Sequence, residues 1–335
     1  METTKMRALQ ISKTFASSQP ELNLLTLPLP PLKSGHALVR INYASIQPSD
    51  RLNAQGLFPS TIYPRIPGRD YSGTVLDIAD KTDISKAWIG KSVYGSSGSL
   101  LGFEADGTHA EYCLIPQDAL VEKPSTLSHL QAATVGVPFS TAFICISKAQ
   151  VTKNDVVLIL GASGAVGSAS SQMARAMGCK QVLTAARRKE SNPDLIISSE
   201  TPDDSLRLSV SRLTNGKGVD VVIDTIGDLK LMTAAIEQLA MKGRYAWIAA
   251  PRGDANKEIS FDIFQAYRKE ITMIGCNSVA RQVEETADYL RSLNAWISQG
   301  KLQAQAEADF EVIKLEEAIT NGYSKIGQKV IIDMS

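Results

Sequence analysis

Residues 155–167 read Asp155-Val-Val-Leu-Ile-Leu-Gly161-Ala-Ser-Gly164-Ala-Val-Gly167. The first half, residues 155–160, is a short continuous apolar run, the pattern of a strand buried on both faces. The second half spaces three glycines at intervals of three and leads into residues 165–177, a small-residue helical pattern stopped by Gly178. A glycine triplet between a buried strand and a helix is the context that signals a dinucleotide. Glycines permit the tight turn, bring backbone N–H groups close to a pyrophosphate and let the helix pack near the strand. The helix N-terminus adds oriented donors and partial positive charge. Gly161, Ser163, Gly164, Ala165, Val166 and Gly167 are therefore candidate cofactor contacts.

Outward from this loop the alternation continues. Strand patterns at 181–185, 195–198, 219–224, 244–250 and 271–276 are separated by helical patterns at 203–214 and 229–241. Buried apolar strands alternating with helices predict an α/β fold, a parallel sheet covered on both faces. The strand at 271–276 comes last and is expected near a sheet edge. The second strand ends Thr184-Ala185-Ala186-Arg187-Arg188-Lys189. A cofactor lacking a 2′-phosphate usually meets an acidic residue there. Arg187, Arg188 and Lys189 instead suit a 2′-phosphate, through charge-assisted hydrogen bonds. The expected cofactor is NADPH; a solvated basic loop is the plainer alternative.

The first third is different in kind. Residues 37–44 alternate as a half-buried strand does, and Pro28, Pro30 and Pro31 are expected to forbid a regular element before it. Gly56, Pro59, Pro64, Pro67, Gly68 and Gly73 punctuate an irregular stretch. Further strands are expected at 73–78, 92–94 and 110–115. Residues 128–148 read as helix interrupted at Gly136 and Pro138, 281–299 as an amphipathic helix, and 329–333 as a closing strand.

Lys+Arg and Asp+Glu are equal at 35 each among 335 residues, so no excess positive charge marks the chain for nucleic acid or an anionic membrane. No apolar run approaches the about 20 residues of a membrane span, and the first 15 residues lack a leader pattern, so the reading is a cytoplasmic protein. The four cysteines, Cys113, Cys145, Cys179 and Cys276, form no C-x-x-C pair. They point to neither a disulfide framework nor structural zinc.

Several further motifs occur in a fixed order: Ile46-Gln47-Pro48-Ser49-Asp50, Ile66-Pro67-Gly68-Arg69-Asp70-Tyr71-Ser72-Gly73, Gly107-Thr108-His109-Ala110-Glu111-Tyr112, Ala132-Ala133 with Pro138 and Thr141-Ala142, and Asp220-Val-Val-Ile-Asp224-Thr-Ile-Gly227. Together with the phosphate loop they resemble the medium-chain dehydrogenase/reductase superfamily, and within it the zinc-independent quinone oxidoreductase and enoyl reductase branch. The resemblance implies a GroES-like β-rich catalytic domain from residues 1–123 and 278–335, with a Rossmann doubly wound parallel-sheet domain at 124–277. It implies cofactor contacts at Thr141, Gly227 and Asn277, and a homodimer joined along the last Rossmann strand.

Catalytic zinc needs about three N, S or O ligands around an open position. In the zinc alcohol dehydrogenases the resemblance places those ligands at Gln47, Arg69 and approximately Val137 of this chain, and these cannot form the set. No metal is expected. Without a Lewis acid, an acceptor that carries its own electron sink is the suitable substrate, such as a quinone or an α,β-unsaturated carbonyl. The protein then has only to align reactants and donate hydrogen bonds to the developing enolate. Tyr43, Gln47, Asp50, Arg69 and Tyr71 are the catalytic candidates. Asp50, Arg69 and Asp70 have the alternative of an internal ion-pair network, and Tyr71 of a packing role. Alternative functions are a trans-acting enoyl reductase of a polyketide or fatty-acid pathway, a simple ketone or aldehyde reductase, and a cofactor-bound, non-enzymatic RNA-binding or structural protein.

Overall fold

The computed structural model describes residues 4–13, 19–187, 192–198, 200–253 and 255–335. The chain divides into two compact units, residues 1–140 with 279–335 (unit 1) and residues 141–278 (unit 2).

Unit 1 opens with a hairpin of β1 (Lys5–Ser12) and β2 (Glu21–Pro28), with Lys5 opposite Pro28. Next come β3 (His36–Ile46), helix α1 (Pro48–Ala54), β4 (Asp70–Ile78), the single turn α2 (Asp83–Lys86), β5 (Ser92–Gly95), β6 (Tyr112–Pro116) and β7 (Val121–Glu122). The turn α3 (His129–Ala132) precedes α4 (Gly136–Lys148), the helix on which the chain passes into unit 2. Pro48 stands at the first position of α1 and Pro138 in the first turn of α4, where a missing N–H leaves no helical bond unmade.

Unit 2 contains β8 (Val156–Leu160), α5 (Ala165–Ala176), β9 (Gln181–Ala186), β10 (Leu195–Ile196), α6 (Pro202–Leu213), β11 (Val219–Asp224), α7 (Leu229–Glu237), β12 (Leu239–Trp247), α8 (Ile263–Arg268) and β13 (Thr272–Gly275). The six strands are all parallel, in the order β10-β9-β8-β11-β12-β13. Counted along the chain this is 3-2-1-4-5-6, a doubly wound Rossmann sheet with its order reversing beside β8. All five residues of β8 are buried, as a central strand covered on both faces requires. Leu158, Leu160, Leu183, Leu206, Val222 and Leu231 belong to one core that joins strands to helices.

The chain returns to unit 1 through α9 (Val283–Ser298), β14 (Glu311–Lys314) and β15 (Val330–Asp333). β15 pairs antiparallel with β3, Val330 opposite Ile46, so the two segments of unit 1 close one GroES-like sheet, β14-β15-β3-β4-β5-β7 with β6 on β3.

Two elements depart from the sequence pattern. β2 runs up to Pro28, although prolines are expected to exclude a strand there. Pro28 is its last residue, where the lost N–H costs no ladder bond in the interior of the strand. The helix expected over 229–241 stops at Glu237, and β12 begins at Leu239, which pairs with Val219 and is buried. The ladder then jumps to Arg244 opposite Val221, past Lys242 at φ +58°. This bulge disguises the start of the strand as the apolar tail of the helix.

Candidate functional site

In unit 2, Gly161 leaves β8 at φ +81°, and a Cβ there would strike the Thr225 hydroxyl. The loop is tied on both sides. Gly161 N and Ala162 N donate to Ala185 O of β9 at 3.0 and 3.2 Å, and Thr225 Oγ1 donates to Leu160 O at 2.8 Å. A Cβ on Gly167 would strike Gly161 O, so this glycine sets how closely α5 approaches the turn. Gly164 caps α5 with no side-chain hydrogen bond, leaving the first-turn N–H groups of Ala165, Val166 and Gly167 without intrahelical acceptors. Ser163 and Gly164 are exposed. The arrangement suits a pyrophosphate.

The carboxyl edge of the same sheet gathers the other candidates. Arg187 follows β9 and is exposed; Arg188 and Lys189 lie outside the described residues. Gly227 follows β11 at φ +73°, and Asn277 follows β13 and is exposed. The turn before Gly227 is built by Asp224, which is fully buried. Its Oδ1 accepts from Ile226 N at 2.8 Å and Gly227 N at 3.1 Å, and its Oδ2 accepts from the Tyr245 hydroxyl at 2.8 Å. Thr141, in α4, is buried and its Oγ1 has no partner among the described residues. A buried hydroxyl left without a partner calls for an explanation. The roles of Thr225 and Tyr245 escape sequence reasoning: Thr225 stands inside the 220–227 motif but bonds across to Leu160 O, and Tyr245 bonds across to Asp224.

In unit 1, Gln47 caps α1 and its N–H donates to Asp50 Oδ2 at 2.8 Å, one half of a capping box. Gln47 Nε2 donates to Ser45 Oγ at 3.0 Å and to Asp70 Oδ2 at 2.9 Å. Asp70, fully buried, also accepts from Val137 N through both oxygens, at 2.8 and 2.9 Å. At the N-terminus of α4 the helix dipole favours its charged form, and burial opposes that form. Gly136 permits the approach, because a Cβ there would collide with Ser96 and with Asp70. Arg69 is 2% exposed; its NH1 donates to Ser97 O at 3.4 Å, its NH2 donates to Ser49 Oγ, and its Nε stands 3.9 Å from Asp50 Oδ1. The guanidinium lies 5.7 Å over Phe103. Burial pushes the Asp50 carboxyl up to about 6 and the Asp70 carboxyl up to about 7, against the opposing pull of Arg69.

Gln47, Asp50 and Arg69 are thus brought together with Asp70. Tyr43 is not among their recorded partners: it sits on β3 opposite Asp333, and burial and Asp333 raise its pKa. Tyr71 is 1% exposed, packs against Gly95 and has no partner for its hydroxyl among the described residues; burial pushes its pKa far up. The histidines are scattered. His109 Nδ1 meets the Tyr323 hydroxyl at 2.7 Å, His129 lies between Ser72 and Ser92, and His36 meets Ser34 O. Among the described residues no group of three or more His, Cys, Asp or Glu could hold a metal. Arg69 offers no lone pair to an ion and Val137 no side-chain donor, so the positions matched to zinc ligands do not fit zinc.

Comparison with known proteins places this geometry. Residues 33–125 match the family model of the alcohol dehydrogenase GroES-like domain, and residues 165–294 that of the zinc-binding dehydrogenase. A zinc-type alcohol dehydrogenase-like protein of Schizosaccharomyces pombe is 41% identical over 334 residues, covering 98% of each chain. The quinone oxidoreductase of Mus musculus is 26% identical, again over 98% of each. Among solved structures, an alcohol dehydrogenase superfamily protein from Novosphingobium aromaticivorans superposes with a TM-score of 0.78 at 24% identity, over 98% of this chain and 99% of that one. A cobalt- and zinc-bound thermostable alcohol dehydrogenase from Pyrobaculum aerophilum gives 0.76 at 22%, over 98% and 100%. Two linked family models, a full-length relative at 41% identity and the paired GroES-like and Rossmann sheets lead to one conclusion: the chain belongs to the medium-chain dehydrogenase/reductase superfamily of oxidoreductases.

Proposed function

We propose that the protein is a cytoplasmic, NADPH-dependent, zinc-independent reductase of quinones or α,β-unsaturated carbonyl compounds. The observation that carries this reading is the cluster at Gln47, Asp50, Arg69 and Asp70, whose side chains engage one another where zinc-dependent relatives place metal ligands. When bound, the nicotinamide supplies the hydride. The N–H groups of Ala165, Val166 and Gly167 would hold its pyrophosphate, with Gly161, Ser163 and Gly164 shaping the cradle. Arg187, Arg188 and Lys189 would hold the 2′-phosphate, and Thr141, Gly227 and Asn277 would complete the contacts. These parts fit the cofactor: the glycines leave open backbone, and the Thr141 hydroxyl awaits a partner.

The chain's own task is then to orient the acceptor and stabilise its developing oxyanion. Gln47 and Tyr43 are the proposed hydrogen-bonding groups toward substrate. Asp50 and Asp70 fix Gln47 through its backbone and its amide, and Arg69 balances their charge. Tyr71, buried and slow to ionise, serves packing in this scheme. The quinone oxidoreductase of Mus musculus supports the acceptor class. The test is NADPH oxidation with quinones, enals, enones and enoyl thioesters, run beside NADH. Turnover of simple aldehydes but of no conjugated acceptor would refute the substrate class.

We also propose a homodimer. β13 is the edge of the parallel sheet, and α8 just before it exposes Ile263 (72%), Phe264 (53%) and Tyr267 (64%). An open edge beside an apolar patch is an aggregation liability unless covered, and a two-fold pairing of the same edge closes it. Light scattering of the wild type should give about twice the mass of one chain.

A further inference from the structure

Two cysteines that are 131 positions apart in the sequence meet inside unit 2. Cys145, in α4, is fully buried; Cys276, just after β13, is 6% exposed. The Cys276 thiol donates to Ile274 O at 3.7 Å, and the two thiols are close enough for Cys276 to act directly on the titration of Cys145. An independent clasp holds the same two segments together: Lys148 Nζ, one helical turn beyond Cys145, donates at 2.6 Å to the carbonyl of Gly275, the residue before Cys276. The strand end is fixed from its other side as well, because Cys276 N donates to Trp247 O at 2.9 Å. The remaining thiols sit elsewhere. Cys113 belongs to unit 1 and contacts Asp106 O, and Cys179 contacts Thr152 O.

A helix clasped to a strand end holds the two cysteines side by side, the juxtaposition a disulfide requires. We propose that Cys145 and Cys276 form a reversible dithiol–disulfide couple oxidised by hydroperoxides, with Cys276 attacked first and Cys145 resolving. Cys276 takes the first step because it alone of the pair has any solvent exposure. Its thiolate attacks one peroxide oxygen; the O–O bond breaks, giving a sulfenic acid and, from hydrogen peroxide, one water. The Cys145 sulfur then displaces the sulfenic oxygen, which leaves as a second water while the S–S bond forms. Two thiols lose two electrons and two protons, and the peroxide gains them.

The reaction has a built-in brake. The Cys276 thiol, then burial, holds the Cys145 thiol well above its ordinary range; Asp224 adds to this and Lys148 opposes it. Since the thiolate is the reactive form, the resolving attack by Cys145 is slow at neutral pH and accelerates as the pH rises. The disulfide would tie α4 to the end of β13 one residue before Asn277. Resting on the function proposed above, we expect the oxidised protein to bind NADPH several-fold more weakly.

The test treats the full chain with hydrogen peroxide and maps peptides without reduction. The expected product is a Cys145–Cys276 cross-linked peptide, lost on treatment with dithiothreitol. Cys145→Ser should leave a Cys276 sulfenic acid that dimedone traps, and Cys276→Ser should abolish both products. A cross-link through Cys113 or Cys179, an intermolecular bond, or over-oxidised Cys276 without a cross-link would overturn the couple; wild-type mapping alone decides this if a variant does not fold. NADPH titration of the oxidised and reduced forms is read separately. Equal affinities, with the disulfide present, would overturn its effect on the cofactor. A reduced protein that binds no NADPH would refute the functional reading while leaving the disulfide assignment intact.

Discussion

The phosphate loop of unit 2 and the polar cluster of unit 1 are built on opposite principles. The loop is made of backbone: Gly161 turns at a positive φ, Gly167 lets a helix come close, and the donors are main-chain N–H groups. The cluster is made of side chains from separate elements: Gln47 and Asp50 at the start of α1, Arg69 and Asp70 at the start of β4, and Val137 in α4. A backbone site fails by steric intrusion and tolerates changes of charge. A side-chain site in the interior fails when one partner of a buried network is lost.

The sharpest break of that contrast is a β-branched residue in the loop. Gly161→Val and Gly167→Val should abolish detectable NADPH binding, because each added Cβ meets a fixed partner, the Thr225 hydroxyl or Gly161 O. Gly164→Ala should be milder: its Cβ meets only Gly161 O, at 3.3 Å, and the backbone there is ordinary. Fluorescence titration with circular dichroism separates binding from folding. Equal losses at all three positions would contradict the geometry.

The corresponding break in the cluster is Asp70→Leu. It strands Val137 N and leaves Arg69 with less countercharge in the interior, so it should cost about 3–5 kcal/mol in denaturant unfolding. The same carboxyl sets a pH dependence. Because burial raises its folded pKa, the folded state holds the proton more tightly than the unfolded state. Its contribution to stability is therefore lost as pH rises from the ordinary 3.8 to about 7. The destabilisation caused by Asp70→Asn should shrink across that window. A penalty that grows with pH would show an Asp70 stabilised as the anion.

How much of this was legible in the sequence follows from the same contrast. The buried strand at 155–160, the glycine spacing and the β/α alternation are local, and the sheet follows them in order. Asp70 could be singled out by motif, but its partners lie 67 residues away at Val137 and 23 away at Gln47, and no local pattern states that pairing. Tyr43 reads as a neighbour of Gln47 along the chain, yet β-pairing sets it opposite Asp333. Cys145 and Cys276 read as scattered residues because only the clasp of α4 on the end of β13 brings them together. The bulge at Lys242 hid the start of β12 for a related reason: its positive φ has no signature in a lysine.

Smaller effects sharpen the comparison. Arg187→Ala should weaken NADPH binding roughly ten- to a hundredfold, by loss of about 1.5–3 kcal/mol of charge-assisted contact, and leave NADH little changed. Equal effects on both cofactors would remove the basis for NADPH preference. Met273→Pro, on the edge strand, deletes a donor and should shift the protein toward a lighter species in light scattering, with little loss of cofactor binding. A wild type that is already monomeric at micromolar concentration would exclude the proposed interface.

The most direct test of the central claim, that a side-chain cluster stands in place of a metal site, is turnover measured together with metal content. The protein is dialysed against a chelator, its zinc is quantified, and NADPH oxidation by a quinone and an enone is followed on the same sample. The account predicts full turnover with sub-stoichiometric zinc and no gain on adding zinc back. Activity that disappears with the metal and returns with one zinc per chain would contradict it.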